Sequence, residues 1–427
     1  MPETAGRRVL FVTYGGGHAQ MVTPVIEALR GCIGITVLAM PAAIAHFNNT
    51  GAEVLTFRDL IELPSDDRAL EYGEELANAH HSDHTGIPRQ ESVAYLGLSY
   101  ADLVQRTGEE AAGAALAARG RQAFLPLGVL QRVVERVRPD VIVTTSSPRA
   151  EAAALRVARA RGIPGIAMID LFSGIDGYTL EASDATFLTE AAVDSCRRQG
   201  FFDPGITQAH ITGNPAFDRL IPRAVVSDPA WVARTFPQVA GEALVLYADM
   251  PAWLDAVSGT THTRTSSEIV EEMSLCAAAC RAAGVWLLVR PHPSQQRGIY
   301  ERFTQDNANV LMAAEPDLYE LTERVDAVIA RSTTVALEAV YLGQTVIQPE
   351  PQRHADMPLA EMGLAIGVPD MAKLEPVLVE CLKDTAARER RRDRFVRAFP
   401  QNPASQKIAE LILDRATQKL AKDETGV

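Results

Sequence analysis

Three glycines stand directly before a histidine in "TYGGGHAQ", residues 13–20. Glycine costs backbone entropy wherever it is held, so three in a row mark a place that needs bare backbone. They follow the apolar run "RRVLFVTY" and precede the amphipathic stretch "QMVTPVIEALRG". That pattern predicts a strand-to-helix turn. In an open parallel sheet, ligands bind outside the carboxyl ends of the strands. Gly16 and Gly17 would let backbone close on a ligand and aim N–H groups at negative charge. His18 has an unperturbed pKa near ~6.5 and suits general acid–base work if it reaches a reacting hydroxyl. The competing reading is a tight turn in which His18 only packs or caps. The string is not G-x-G-x-x-G, and no acid falls plainly about 20 residues on.

A second set lies in the other half. "WLLVRPHPSQ" puts Arg290, His292 and Ser294 just past a strand end, and "ARSTTVALEAVYLG" puts Ser332, Thr333 and Thr334 at a helix start. Such hydroxyls cap helices. With the free N–H groups of a first turn they also seat a phosphate. Glu338, one turn further in, could accept hydrogen bonds from a ribose diol; by itself it reads as an exposed helix glutamate. "TTSSPRAEAAAL" (144–155) sets Ser146, Ser147 and Arg149 at another strand end, and "DLFSGIDGY" (170–178) does the same for Asp170. Asp170 reads equally well as a helix cap or a solvated loop residue. "NAHHSDH" offers His80, His81, Asp83 and His84, which suit an acceptor-side loop better than a metal site.

The elements that must carry these residues alternate strand and helix. "GITVLAM", "PDVIVTTSS" and "IPGIAMID" are strands of a first series, with "PRAEAAALRVARARG" a helix between the last two. From residue 241, "EALVLYAD", "VWLLVRPHP", "DAVIARS" and "QTVIQPE" alternate with helices in a second series. Repeats of this kind predict α/β domains with doubly wound parallel sheets covered on both faces. The expected domains are 1–220, with a helical insertion at about 65–135, and 241–398. A Pro-rich linker at 221–240 joins them, and 399–427 form a last helix and tail.

Composition bounds the partners. The chain has 427 residues, 47% hydrophobic and 22% charged, as a soluble two-domain protein would. A net charge of −13 argues against nucleic acid as the partner. The basic run "ARERRRDRF" (387–395) reads as a solvated face, with docking to an anionic membrane as the minority reading. No signal peptide and no apolar run long enough to span a membrane is expected. Five scattered cysteines, an odd count, suit a reducing compartment, hence the cytoplasm. Cys276 and Cys280 share one helix face and read as buried small hydrophobes rather than metal ligands.

Together these motifs resemble the GT-B glycosyltransferases and their relatives, the UDP-N-acetylglucosamine 2-epimerases. "GGGHAQMVTPVIEAL" is similar to the entry of the peptidoglycan N-acetylglucosaminyltransferase, and "ITGNPAFDRL" (211–220) resembles the Gly-Asn-Pro segment closing the first domain. "RPHP" is similar to the His-Pro motif of epimerases and of sialyl-, Kdo- and teichoic-acid enzymes. "ARSTTVALEAVYLGQTVIQP" resembles the superfamily's donor-binding segment. The likeness spans 9–20 and 139–370 and leaves out 65–135.

It implies two Rossmann-like domains facing a cleft, with the last helix crossing back to the first. It implies donor phosphates on Gly16, Gly17, Arg290 and Ser332–Thr334, His292 near the phosphate or base, ribose on Glu338, and His18 at the reacting sugar or the diphosphate. "PEPQRHADMPLAEMG" (349–363) resembles the loop that reads the donor sugar, with Gln352, His354 and Asp356 as candidates. The acceptor side would hold Ser146, Ser147, Arg149 and Asp170. The peptidoglycan enzyme's second Gly-rich loop is replaced here by "TTSSPRAEAAAL", so its acceptor is not carried over. The Thr-Arg-Pro pattern of epimerases is missing from "TYGGGH".

The implied activity is inverting, metal-independent transfer of a sugar from a nucleotide sugar to an acceptor hydroxyl. No cofactor is needed, the nucleotide sugar being the substrate, and there is no Asp-x-Asp metal motif. UDP, CDP, GDP and CMP donors all fit, with Glu338 leaning towards a diphosphate. One alternative is an epimerase or hydrolase using Asp170, Asp176 or Asp249 on the sugar. Another is a non-catalytic binding subunit on the same fold.

Overall fold

A computed structural model describes residues 6–424 except 82–85, 175–177, 221–228, 240, 251, 256–259, 293–294, 314–317 and 355. Two compact units result: Met1–Asp218 with Asn402–Val427, and Arg219–Gln401.

The first unit holds strands β1 (Arg8–Thr13), β2 (Gly34–Ala39), β3 (Glu53–Leu55), β4 (Val141–Thr144), β5 (Gly165–Met168), β6 (Asp184–Phe187) and β7 (Gln208–Ile211). Its helices are α1 (Gly17–Leu29), α2 (Ile44–Phe47), α3 (Asp67–His80), α4 (Arg89–Thr107), α5 (Glu109–Arg119), α6 (Leu127–Val137), α7 (Ala150–Ala160) and α8 (Glu190–Arg198). The strands pair in the order β3-β2-β1-β4-β5-β6-β7, all parallel. Alternation along β1 explains why both faces are covered. Leu10 and Val12 join one core with Tyr72, Leu96, Phe124 and Leu130, from α3, α4, the turn after α5, and α6. Val9 and Phe11 join another with Met21 and Ile26 of α1. The stretch 65–135, expected as an insertion, is thus the layer that buries one face of the sheet.

The second unit holds α9 (Pro229–Thr235), β8 (Leu244–Ala248), β9 (Ala252–Asp255), β10 (Thr260–Thr263), α10 (Ser266–Ala283), β11 (Trp286–Arg290), α11 (Arg297–Asp306) and β12 (Val310–Met312). It continues with α12 (Leu318–Arg324), β13 (Ala327–Ala330), α13 (Thr334–Tyr341), β14 (Val346–Pro349), β15 (Ile366–Val368), α14 (Leu374–Lys383) and α15 (Thr385–Ala398). Its parallel sheet runs β12-β11-β8-β13-β14-β15, and β9 and β10 form a separate antiparallel pair. Helix α9, within the expected linker, packs in this unit, where Arg324 lies 4.8 Å from the Trp231 ring centre. Cys276 and Cys280 are fully buried in its core, and all five cysteines are free thiols.

The last helix, α16 (Ala404–Glu424), belongs to the first unit. Ile408, Ile412 and Ala416 enter the core of β1 and α1. Arg415 grips the buried Asp184 carboxylate with Nε at 2.9 Å and Nη2 at 2.7 Å. The basic run on α15 departs from a fully solvated face. Arg388 donates to the Gly343 carbonyl at 3.0 Å and to Gln344 at 2.9 Å, closing the end of α13. Among the described residues no helix is long and apolar enough to cross a membrane.

Candidate active site

In the first sheet β1 lies between β2 and β4, so the order in which strands are laid down reverses at the β1/β4 boundary while all run parallel. A crevice opens at such a switch point. Gly15 and Gly16 shape the turn after β1 for two different reasons. A Cβ on Gly15 would stand 2.5 Å from the Ala42 carbonyl oxygen. Gly16 has φ 65° and ψ −133°, a conformation few other residues tolerate. A Cβ on Gly17 would meet nothing within 4 Å. Helix α1 then starts at Gly17, which puts His18 in its first turn.

The turn after β4 supplies the partners of His18. Its Nδ1 hydrogen-bonds the Thr145 hydroxyl. That hydroxyl reaches both oxygens of Glu151, at 2.7 and 2.8 Å. A hydroxyl has one proton to give, and the carboxylate can only accept. Thr145 therefore donates to Glu151, and Nδ1 of His18 carries the proton that Thr145 accepts. This leaves Nε2 as the nitrogen for a reacting group. Glu151 is fully buried and also accepts from the backbone N–H groups of Tyr14 at 3.1 Å and Ser147 at 2.8 Å.

Burial alone would push the His18 pKa down. The hydrogen bond and charge of Glu151, helped by Asp170, outweigh it and raise it to about 9. Asp170 accepts from the Ser146 hydroxyl at 3.0 Å. So His18, Ser146, Ser147 and Asp170 do meet at one place. Arg149 joins them with its guanidinium over the Tyr14 ring, 4.4 Å from the centre. It caps α7 at φ 73° and ψ −117°, a strained conformation for a side chain with a Cβ.

At the carboxyl edge of the second sheet, charge is neutralised internally. Asp249 follows β8, Arg331 follows β13 and Glu350 follows β14. Asp249 accepts from Arg264 at 2.5 Å, Tyr247 at 3.1 Å and Tyr300 at 2.6 Å. Burial still raises its pKa, against the pull of Arg264. Glu272 of α10 bridges Arg264 at 2.8 Å and Arg331 at 3.0 Å. Arg331 reaches Glu350 at 2.7 Å, and Glu350 meets Arg353 at 3.5 Å.

Around this floor stand the expected donor residues. Thr333 caps α13, accepting from Val335 at 3.4 Å. Ser332 is buried beside Asp356, whose pKa is raised by burial and held back by that hydroxyl. Glu338 is buried as well, not exposed as a lone helix glutamate would be. Arg290 donates to the Ala313 carbonyl at 3.3 Å. The His292 pKa is lowered by burial, with Asp249 pulling the other way.

His354 is fully buried, its Nε2 3.4 Å from Arg331. Gln352 donates to the Pro369 carbonyl at 3.3 Å, away from this group. Ser294, Asp83, His84 and Asp176 lie outside the described residues. His81 hydrogen-bonds Ser92 at 2.9 Å.

The sequence reading passed over Glu151, Thr145, Arg264, Glu272 and Arg331. One signal was present. Glu272 stands in phase with Ile269, Met273 and Cys276 on the buried face of α10, and Glu151 with Leu155 and Ala158 on α7. An acid inside an apolar helical stripe is buried and must be paired.

No family model matches the chain, and no curated protein matches it in sequence. Solved structures are similar over nearly its whole length. The UDP-GlcNAc 2-epimerase of Neisseria meningitidis, solved with UDP-GlcNAc bound, is 14% identical with a TM-score of 0.58; the match covers 95% of this chain and 100% of that one. The glycotransferase of kitacinnamycin is 15% identical with a TM-score of 0.57, covering 97% and 100%. A glycosyltransferase from Rickettsia africae is 10% identical with a TM-score of 0.57, covering 96% and 98%. The chain therefore has the GT-B-like fold, with two Rossmann-like domains. Transferases and epimerases share it.

Proposed function

We propose that this chain is a nucleotide-sugar glycosyltransferase, inverting and metal-independent. The observation that carries the reading is the chain of hydrogen bonds from His18 through Thr145 to Glu151 at the β1/β4 switch point. It fixes a tautomer and holds a negative charge behind the ring, as a base working on a hydroxyl requires. In the step, the acceptor oxygen attacks the anomeric carbon from the face opposite the leaving group. Its proton passes to Nε2 of His18. The bond from the anomeric carbon to the nucleotide phosphate breaks, and the diphosphate leaves with the electron pair. The start of α13 with Ser332, Thr333 and Thr334, together with Arg290 and His292, would stabilise that charge. Glu338 would take the ribose. Asp356, beside Ser332, is the strongest donor-sugar candidate, since His354 is packed on Arg331 and Gln352 is turned to Pro369.

A base with a pKa of about 9 is strong but scarce at neutral pH. Only about 1% of free enzyme would hold it unprotonated at pH 7, about 10% at pH 8 and about half at pH 9. One observation weighs against Asp249, though not against Asp170 beside His18, as the carboxylate of an epimerase. Of the carboxylates that could handle a sugar proton, Asp249 is buried and bonded to Arg264, Tyr247 and Tyr300. The epimerase or hydrolase reading draws instead on similar structures and on a cationic His18, which suits cleavage of the donor alone. The nucleotide sugar is the proposed partner, with UDP first in the panel. The five free thiols suit a reducing, cytoplasmic setting.

The test is a thermal-shift panel of UDP, GDP and CMP sugars on wild type and Glu338→Ala, followed by product analysis. A ligand that binds only the folded chain raises its Tm. Transfer predicts a shift that Glu338→Ala weakens, and nucleotide release that depends on an added acceptor. Release or a C2 epimer without acceptor contradicts it in favour of the epimerase or hydrolase. Binding without turnover of any kind favours a non-catalytic subunit.

A further inference from the structure

A cavity of about 310 Å³ opens within the first unit, between the ends of β1 and β2 and the helices α3 and α4. From this cavity we infer an acceptor class: a small aromatic or apolar molecule that carries one carboxylate. As an acceptor site the cavity rests on the transfer reading above; as a binding site it stands on its own walls.

Those walls are of two kinds. Met40, Leu96 and the rings of Tyr14 and Tyr95 make an apolar slot. The two tyrosine hydroxyls lie 3.1 Å apart, so one donates to the other and the accepting oxygen keeps its own proton for a ligand. Slots of this size, mostly apolar with a few polar groups, are the usual form of small-molecule sites. The second kind is cationic. Arg149 and Arg121 both line the cavity. The Arg149 guanidinium is stacked on Tyr14, and its Nε is buried without a hydrogen bond. Among the described residues no carboxylate pairs with it; Glu151, the nearest acid in the chain, is already taken up by Thr145, Ser147 and Tyr14. A half-buried guanidinium with one buried, unbonded N–H and no carboxylate partner favours an anion beside it.

Geometry ties the cavity to His18. Tyr14 is the residue before the glycine turn and gives its N–H to Glu151. Arg149 caps the helix on which Glu151 stands. The backbone strain at Arg149 therefore sits where the acid–base relay and the slot share residues. Strain of this kind persists at sites where a side chain must be held in one place. Protonated His18, Arg149 and Arg121 exceed Glu151 and Asp170 by one positive charge, and the imidazoles of His80 and His81 stand on the same cavity wall. That balance suits a monoanion better than a doubly charged phosphate.

The experiment measures binding of 4-hydroxyphenylacetate, its neutral amide and phenyl phosphate to the full chain by calorimetry, with UDP-sugar thermal shifts run on the same samples. Wild type should bind the acid about tenfold or more tighter than the amide, and tighter than the phosphate. Arg149→Gly should abolish that preference while the Tm holds or rises, because glycine adopts φ 73° without strain. Leu96→Trp, which fills the slot, should weaken acid and amide alike. The inference is overturned if acid and amide bind equally, if neither binds, if phosphate wins, or if Arg149→Gly keeps the preference. Loss of acid binding with the UDP-sugar shift intact would sink the cavity assignment alone. Acid binding with no shift from any nucleotide sugar would keep the cavity and sink the transfer reading.

Discussion

The carboxyl edges of the two sheets occupy equivalent places in their units and are built on opposite principles. The first edge isolates one titratable group. His18 is held by a hydroxyl and a fully buried carboxylate, and its charge is set by them. The second edge pairs charge with charge. Asp249, Glu272 and Glu350 are matched by Arg264, Arg331 and Arg353. A self-neutral floor of that kind adds little net field, so a phosphate there depends on the α13 start and its hydroxyls. The same strand-to-helix architecture thus carries a lone imidazole backed by a carboxylate at one edge and a network of ion pairs at the other.

Removing one partner should break the second edge first. Glu272→Ala leaves Arg264 and Arg331 short of a buried counter-charge, and a loss of about 3–5 kcal/mol is expected in urea unfolding. A loss under about 1 kcal/mol would mean that water reaches the floor.

At the first edge, pH is the lever. The folded His18 pKa of about 9 lies above its unfolded value, so the bound proton stabilises the fold. That stabilisation, roughly 3 kcal/mol, is complete below about pH 6.5 and is lost as pH rises through about 9. Wild type should lose stability over this window, and His18→Gln should be flat across it. Glu151→Gln keeps the shape and removes the charge. If His18 is the base, the inflection in the pH profile of nucleotide release should move from about 9 in wild type towards about 6.5 in this variant.

Away from both edges the effects shrink. Arg415→Ala frees one side of Asp184, whose remaining partners are His210 at 2.8 Å and Ser183 at 2.9 Å. About 1–2 kcal/mol is expected. Burial would raise the Asp184 pKa, but His210 and Arg415 lower it below the usual carboxylate range. The bonds it makes are therefore present above about pH 4 and lost as pH falls further. Arg388→Ala, which uncaps α13, should cost about 1 kcal/mol or less.

Much of this was legible in residue order. Apolar runs marked β1, β4, β8, β11 and β13, and the turns after them held most residues of both edges. Long-range packing was not legible. Nothing local in 65–135 says that α3, α4 and α6 cover a face of the first sheet, because the residues they meet, such as Leu10 and Val12, lie 50 or more positions away. Glu151 and Glu272 were hidden by their setting, since an acid in an Ala-rich helix looks solvated until its phase with the apolar stripe is counted. Arg149 was legible as a candidate but its conformation was not: its left-handed φ contradicts the preference of its own side chain, and only the surrounding contacts impose it.

The central claim is that Glu151 and Thr145 hold His18 as a proton-bearing group with Nε2 available. Nitrogen-detected NMR titration of His18 in the full chain tests it most directly. A pKa of about 9 is expected, with the proton on Nδ1 in the neutral form and a fall towards about 6.5 in Glu151→Gln. A wild-type pKa at or below about 6.5, unmoved by Glu151→Gln, would contradict it.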